Sequence, residues 1–413
     1  MDLTESPEGQ AYRAKVAAWL RENAPPFLIT GRMPLGDEVA LGRKWQARKA
    51  QAGYGALLWP KRYGGEAGAP NQMRIFRGEE ARYPLPVQPY TGVGLGMALP
   101  TLFAHAPEEL IERFAGPTLR GELTWCQLFS EPSAGSDLAG LRTRATRTEG
   151  GWIINGQKVW NSFADYADWA ILIARSDPSR PKHQGLTYFV VDMHSPGIEA
   201  RPIRQMTGGA DFCEVFLTDV FIPDAQQIGA EGEGWKVALT TLAHERARFG
   251  GSRYQISAST LVRIARETCL NGRPAIEDSA VRERIAVIYA RERGLTFFGA
   301  RLATRTSRGE PIGPEVSVSK LVSPRLTQDT GAFAMELMGY EGLIEDESSD
   351  LRVIHDNFCL ATSHRIAGGA DEIMRNQIAE KVLKLPQDAR LDKGVPFDQL
   401  SQLLTSTREI ARR

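Results

Sequence analysis

The chain has 413 residues with 50 basic and 50 acidic side chains, so its formal net charge is zero and no global field draws it to nucleic acid or an anionic membrane. Hydrophobic residues make up 42% and charged residues 24%, the balance of a globular protein, and no apolar run reaches the roughly 20 residues that cross a bilayer. At ~100 to 200 residues per domain the length allows two or three domains.

The chain opens with Asp2, Glu5 and Glu8. A secretory signal needs a basic start and an apolar core, and a transit peptide is Arg-rich, so cytoplasmic residence is predicted. From Ser6 the pattern is helical: Tyr12, Val16, Trp19 and Leu20 recur at helical spacing, and Glu38 to Ala52 predicts a second helix. Trp59-Pro60 through Gly64-Gly65 interrupts it, as does Arg82 to Gly96. A helical domain over residues 1–121 follows.

Between 122 and 230 the texture turns to short strands. Leu141 to Thr148 alternates, Glu149-Gly150-Gly151 turns, and Asn155-Gly156 is a strong hairpin signal between Trp152-Ile153-Ile154 and Gln157 to Trp160. Ile171 to Arg175, Leu186 to Val191, Ile198 to Ile203 and Cys213 to Val220 continue the series, which predicts an antiparallel barrel or sandwich. From 231 to 413 helices return, near Trp235 to Cys269, Ser279 to Arg308, Pro314 to Leu337 and Ala370 to Leu383, a set that suits a helical bundle. The fold class is therefore α+β and multi-domain, without the strand–helix alternation of a doubly wound nucleotide fold. Cys126, Cys213, Cys269 and Cys359 are too scattered for a C-x-x-C metal site or a disulfide framework, so reduced, buried thiols are expected and no metal.

Several segments carry chemistry. Leu128 to Gly140, L-F-S-E-P-S-A-G-S-D-L-A-G, combines Ser130, Glu131, Pro132 and a Gly135-Ser136-Asp137 corner, which can bring bare amides and short hydroxyls against a polyanionic or aromatic ligand. The same residues also suit an ordinary connector between a helix and a strand. Gly92-Val93-Gly94-Leu95-Gly96 has the wrong spacing for a dinucleotide loop and reads as a glycine-rich turn. His244-Glu245 lacks the second imidazole of a zinc helix, because position 248 is Arg. Glu245 shares a helical stripe with Ala238, Leu242 and Phe249, so it is either a usable base or half of an ion pair with Arg248 or another Arg nearby. Trp160, before Asn161-Ser162, is either a core anchor or a wall for a flat heterocycle.

Read together, these segments resemble the acyl-CoA dehydrogenase family over nearly the whole chain. Ser130-Glu131-Pro132-Ser133-Ala134-Gly135-Ser136-Asp137 is similar to its flavin-binding signature. Trp59-Pro60 with Tyr63-Gly64-Gly65, Asn155-Gly156-Gln157-Lys158 with Trp160, Val220 to Pro223 and Ile366 to Pro386 match in the same order. The resemblance implies a helical N-terminal domain, an antiparallel β-barrel middle domain and a C-terminal four-helix bundle, with FAD between barrel and bundle: Phe129 and Ser130 at the isoalloxazine edge, Gly135 and Ser136 at the pyrophosphate, Trp160 on the ring and Ser162 donating toward N5. It implies α,β-dehydrogenation of an acyl-CoA thioester, with a carboxylate taking the α-proton and a hydride leaving for the flavin. The developing enolate is met by a flavin ribityl hydroxyl and the backbone N–H of Gly368. Electron-transfer flavoprotein is the implied acceptor.

Four departures matter. Most members place the catalytic Glu directly before a Gly in the final motif, where this chain has Gly368-Gly369; in the subgroup with the base on the first bundle helix, Glu245-Arg246 takes that place. Glu245 is thus the expected base, with Arg246, Gly368 and Gly369 at the substrate, and the two glycines leave room for a branched, long or bulky acyl group. At the adenosine end, no R-x-x-F-G segment stands around Arg266 to Pro274, Glu336 replaces Gln before Gly339, and Ala370 replaces Thr. A homo-oligomer or an α2β2 tetramer is implied. The alternatives are a flavin oxidase or monooxygenase on the same scaffold, and a weakly catalytic partner subunit.

Overall fold

The computed structural model describes residues 5–29, 31, 33–86, 92–246, 256–308, 310, 313–344, 350–390 and 392–400. Five helices lead: α1 (Pro7–Asn23), α2 (Leu35–Gln51), α3 (Pro70–Glu80), α4 (Leu99–His105) and α5 (Glu108–Leu119). Helix α1 starts where Ser6 accepts a hydrogen bond from the Gly9 amide and Pro7 supplies the fixed φ of a first turn. Val16, Leu20, Trp45, Tyr54 and Phe76 close one core among these helices. The glycine-rich turn before α4 packs rather than binds: a Cβ on Gly94 would stand 2.8 Å from the Trp125 ring.

Eight strands follow: β1 (Trp125–Leu128), β2 (Arg144–Thr148), β3 (Gly151–Ser162), β4 (Trp169–Arg175), β5 (Leu186–Asp192), β6 (Ile198–Ile203), β7 (Phe212–Pro223) and β8 (Gln227–Ile228). They form one sheet in the order β6-β7-β3-β2-β4-β5-β8, antiparallel except that β1 lies parallel to β4 and β2 touches β4 in parallel at Arg144 and Arg175. Strand β4 explains its own unbroken apolar run. Trp169, Ile171 and Ile173 join the core shared with α4 and α5, whereas Ala170, Leu172 and Ala174 join the core on the opposite face.

The Asn155-Gly156 hairpin does not form. The chain turns earlier, at Glu149-Gly150, and β3 runs through both residues with a register shift against β7. Asn155 Nδ2 donates to Asp219 at 2.9 Å, and Gly156 is needed for close approach, since a Cβ there would come 2.4 Å from the Thr143 hydroxyl. Local turn preference yields to tertiary pairing.

The bundle comprises α6 (Gly234–Arg246), α7 (Ala258–Glu267), α8 (Ser279–Ser307), α9 (Val316–Met338), α10 (Asp350–His364) and α11 (Asp371–Gln377). The single helix expected from Trp235 to Cys269 is two described helices; residues 247–255, with Arg248 and Phe249, lie outside the described residues, as do 87–91 of the irregular Arg82 to Gly96 stretch. Helix α10 was not among the sequence expectations. Cys126 and Cys213 are buried as expected, Cys359 is half-buried, and Cys269, in a short hairpin, is exposed.

One buried ion pair ties connector to sheet. The fully buried Lys158 Nζ donates to Glu131 Oε1 at 2.9 Å, Phe129 O at 3.0 Å and Ile173 O at 2.9 Å. Glu131 also accepts from the Arg142 and Thr143 amides at 2.6 and 2.9 Å. Burial alone would raise the Glu131 carboxyl; the Lys158 charge and these amides outweigh it and hold the group below its ordinary range. Burial pushes the Lys158 ammonium down to about 8 against the pull of Glu131. Lys158→Met strands a buried carboxylate, and urea unfolding should show a loss of about 3 to 5 kcal/mol. Because the folded Glu131 is the stronger acid, its contribution is present above the unfolded carboxylate value of about 4.3 and is lost as pH falls through the lower, folded one. The urea midpoint should therefore fall more steeply on acidification in the native protein than in Glu131→Gln.

Candidate active site

The sheet side of the site is built on the Lys158 pair. The chain leaves β1, passes Phe129 and Ser130, and is held along β3 by hydrogen bonds from Val159 N to Ser130 O at 2.9 Å and from Asn161 Nδ2 to Gln127 O at 2.6 Å. Glu131 and Ala134 close a tight turn, beyond which Gly135 and Ser136 are exposed. A Cβ on Gly135 would meet nothing within 4 Å, so the backbone there borders open space. Trp160 sits at a second register shift between β3 and β7 with φ +64°, which turns its ring out of the sheet to 60% exposure, edge-on to Phe212 at 6.1 Å. Half-buried Ser162 ends the strand. Phe129, Ser130, Trp160 and Ser162 are thus brought together.

The helix side rests on α6. Its Thr241 hydroxyl lies 2.9 Å from the Tyr188 hydroxyl of β5 and 3.0 Å from the Thr101 hydroxyl of α4, a buried network one turn before Glu245. Tyr188 in turn stands edge-on to Phe129 at 5.8 Å, which couples α6 to the connector. Glu245 is half-buried near the end of α6, Arg246 closes the helix, and Ala238 on the same stripe is fully buried.

The third part is the turn between α10 and α11. Gly368 and Gly369 have φ of +65° and +103°. Lys320, buried on α9, donates to His364 O at 2.9 Å and Gly369 O at 3.0 Å, and lies within electrostatic reach of Glu245 and Asp371. Arg365 Nε pairs with Asp371 at 2.7 Å and closes the turn. Among the described residues, neither the Gly368 nor the Gly369 amide is matched with a backbone carbonyl. Glu336 and Gly339 stand apart, ~24 Å along α9 from Lys320 at 1.5 Å per residue. Glu336 there pairs with Arg284 of α8 at 2.6 Å.

Comparison with known proteins follows this geometry. Residues 232–383 match the family model for the acyl-CoA dehydrogenase C-terminal domain, and residues 126–220 that for the middle domain. The acyl-CoA dehydrogenase IpdE1 of Mycobacterium tuberculosis is 35% identical over 393 residues, 92% of this chain and 99% of that protein. The chain belongs to the acyl-CoA dehydrogenase family. FadE34, an acyl-CoA dehydrogenase of the same organism, is 39% identical over 345 residues, 83% of this chain but 46% of that protein, so the chain spans about half its length. The solved ChsE4-ChsE5 complex from Mycobacterium tuberculosis superposes with a TM-score of 0.79 at 26% identity, covering 94% of this chain and 100% of that one.

Membership in the acyl-CoA dehydrogenase family implies a flavin, and the residues present fit one. An exposed Trp160 ring offers an apolar platform, and the open backbone at Gly135 beside the Ser136 hydroxyl offers polar contacts without bulk. Among the described residues no helix is long and apolar enough to cross a membrane. Lys320 and the Thr241–Tyr188–Thr101 network were missed in the sequence. Lys320 did leave a trace, as the lone charge in Val316-Ser317-Val318-Ser319-Lys320-Leu321-Val322-Ser323. The hydroxyl network left none.

Gly369→Ala would force a side chain to φ +103° and set its Cβ 2.5 Å from the Met374 methyl. Urea unfolding should register a loss of about 1 to 3 kcal/mol.

Proposed function

We propose that this chain catalyses FAD-dependent α,β-dehydrogenation of an acyl-CoA thioester to the trans-2-enoyl-CoA, with Glu245 as the base. What supports it is that Lys320, which donates to Gly369 O, is acted on by Glu245, while Tyr188 links the Thr241 turn of α6 to Phe129. Phe129, Ser130, Trp160 and Ser162 would hold the flavin ring, and Gly135 and Ser136 its pyrophosphate. When bound, FAD supplies the acceptor for the β-hydride.

Glu245 takes the α-proton, and the Gly368 amide meets the negative charge that then appears on the thioester oxygen, a fixed donor that needs no reorganisation. Arg246 would line the substrate beside it. No side chain projects from Gly368 or Gly369, so a branched, long or bulky acyl group fits there. Electron-transfer flavoprotein is the proposed acceptor of the electrons and the cytoplasm the proposed compartment. Division of the chain near 121 and 230 separates the three proposed domains.

A second reading has its own observation. Glu336 is engaged with Arg284 of α8, and the similar ChsE4-ChsE5 assembly contains two different chains. A subunit of an α2β2 tetramer, completed at the adenosine end by its neighbour, is the proposal this favours over a homo-oligomer. Expressed alone, such a subunit holds FAD weakly and turns over little.

Glu245→Gln should keep the fold and the yellow colour yet lose at least ~100-fold in anaerobic bleaching by an acyl-CoA, the usual contribution of a general base. Retention of wild-type bleaching would remove the base assignment. On a panel from butyryl to steroid side-chain thioesters, the bulky members should be preferred.

A further inference from the structure

A buried lysine is costly unless its charge is answered, because desolvation of an ammonium amounts to several kcal/mol. Lys320 is 1% exposed. Its two recorded backbone acceptors, His364 O and Gly369 O, are neutral. Asp371, the stronger of the carboxylates that act on it, is also paired through Oδ2 with Arg365. Glu245 is the second carboxylate that acts on it.

The two contacts have a geometric result. They bind the last carbonyl of α10 and the carbonyl of Gly369, spanning the Gly368-Gly369 turn from both ends. Two successive residues with positive φ are among the least restrained a chain can hold, and the ammonium restrains them.

We propose that Lys320 is a positioning residue for proton abstraction: from beneath the turn it fixes the Gly368 amide and answers the negative charge both on Glu245 and, after proton transfer, on the thioester oxygen. This rests on Glu245 as the base. During the step the bond from Cα to hydrogen breaks, the proton goes to Glu245, and its electron pair moves toward the thioester oxygen. One negative charge disappears from α6 and one appears at the turn, while the cation between them stays where it is. A fixed charge serving both ends lowers the cost of moving charge across a poorly solvated site.

The charged and titratable groups around Lys320 are Glu245 from α6, His364 and Arg365 at the end of α10, and Asp371 from α11. Burial, then the Lys320 charge, holds the His364 imidazole below its ordinary range, so removing that charge would move His364 upward as well.

The test uses flavin-loaded full-length protein with Lys320→Gln, which keeps a donor for the carbonyls without charge, and Lys320→Arg, which keeps charge. Two measurements are made: the pH dependence of anaerobic bleaching by an acyl-CoA, and the pH at which a bound, non-reducing 3-oxoacyl-CoA ionises to its enolate, read from ligand absorbance. Lys320→Gln should slow bleaching ~100-fold, and both its acid limb and the enolate ionisation should move up by about one pH unit or more. Lys320→Arg should hold both near their native positions, and adding His364→Gln to Lys320→Gln should leave the shifts in place. The proposal is overturned if Lys320→Gln moves neither profile, whatever its rate, or if the shifts vanish with His364. Wild-type bleaching by Glu245→Gln in parallel would instead overturn the base reading, so the two failures are distinct.

Discussion

The site hangs on one buried ammonium. Lys158 gathers the carbonyl of Phe129, the carboxylate of Glu131 and the carbonyl of Ile173 at a single nitrogen, and so joins the connector after β1 to β3 and β4. Without that charge the connector would be a polar loop crossing an apolar sheet, with Glu131 and its two amide donors in search of water. With it, a segment rich in Gly, Ser and Pro becomes rigid at its base and open at its rim. Short side chains can then face a ligand without collapsing onto the protein.

A similar device recurs on the helical side, where Lys320 spans the carbonyls at either end of the Gly368-Gly369 turn. Between the two lysines runs a line of contacts from Phe129 through Tyr188 to Thr241 and thus to the turn of α6 that carries Glu245. The sheet wall and the helical wall are therefore registered against each other by buried polar groups, whose directional bonds fix relative position more sharply than apolar packing does. In an apolar interface a slip of an ångström costs little; across a hydroxyl network it breaks bonds.

The sequence disclosed this plan unevenly. Strands β4 to β7 were legible because alternation or unbroken apolar runs bounded by turns leave few other readings, and the connector was legible because Gly135, Ser136 and Pro132 are chosen for backbone behaviour. Asn155-Gly156 misled, since its turn preference is local while the pairing of β3 with β7 is not. Helix α10 was hidden by polar residues such as Arg352, Asp356 and Asn357, two of which are buried in the bundle. The network of Thr101, Tyr188 and Thr241 could not be seen at all: its members lie 53 and 140 positions apart, and nothing in a single hydroxyl announces a distant partner.

The paired glycines at 368 and 369 reach beyond catalysis to ancestry. A carboxylate introduced at either position would adopt a left-handed backbone, and at 369 it would also displace Met374. It would bring a second negative charge into a neighbourhood where Lys320 already answers one. Any lineage moving its base between the two helices must pass through a form with two competing carboxylates or with none. With Glu245 as the proposed base, the turn would act as a ratchet on sequence change, holding proton chemistry on α6 once it had settled there.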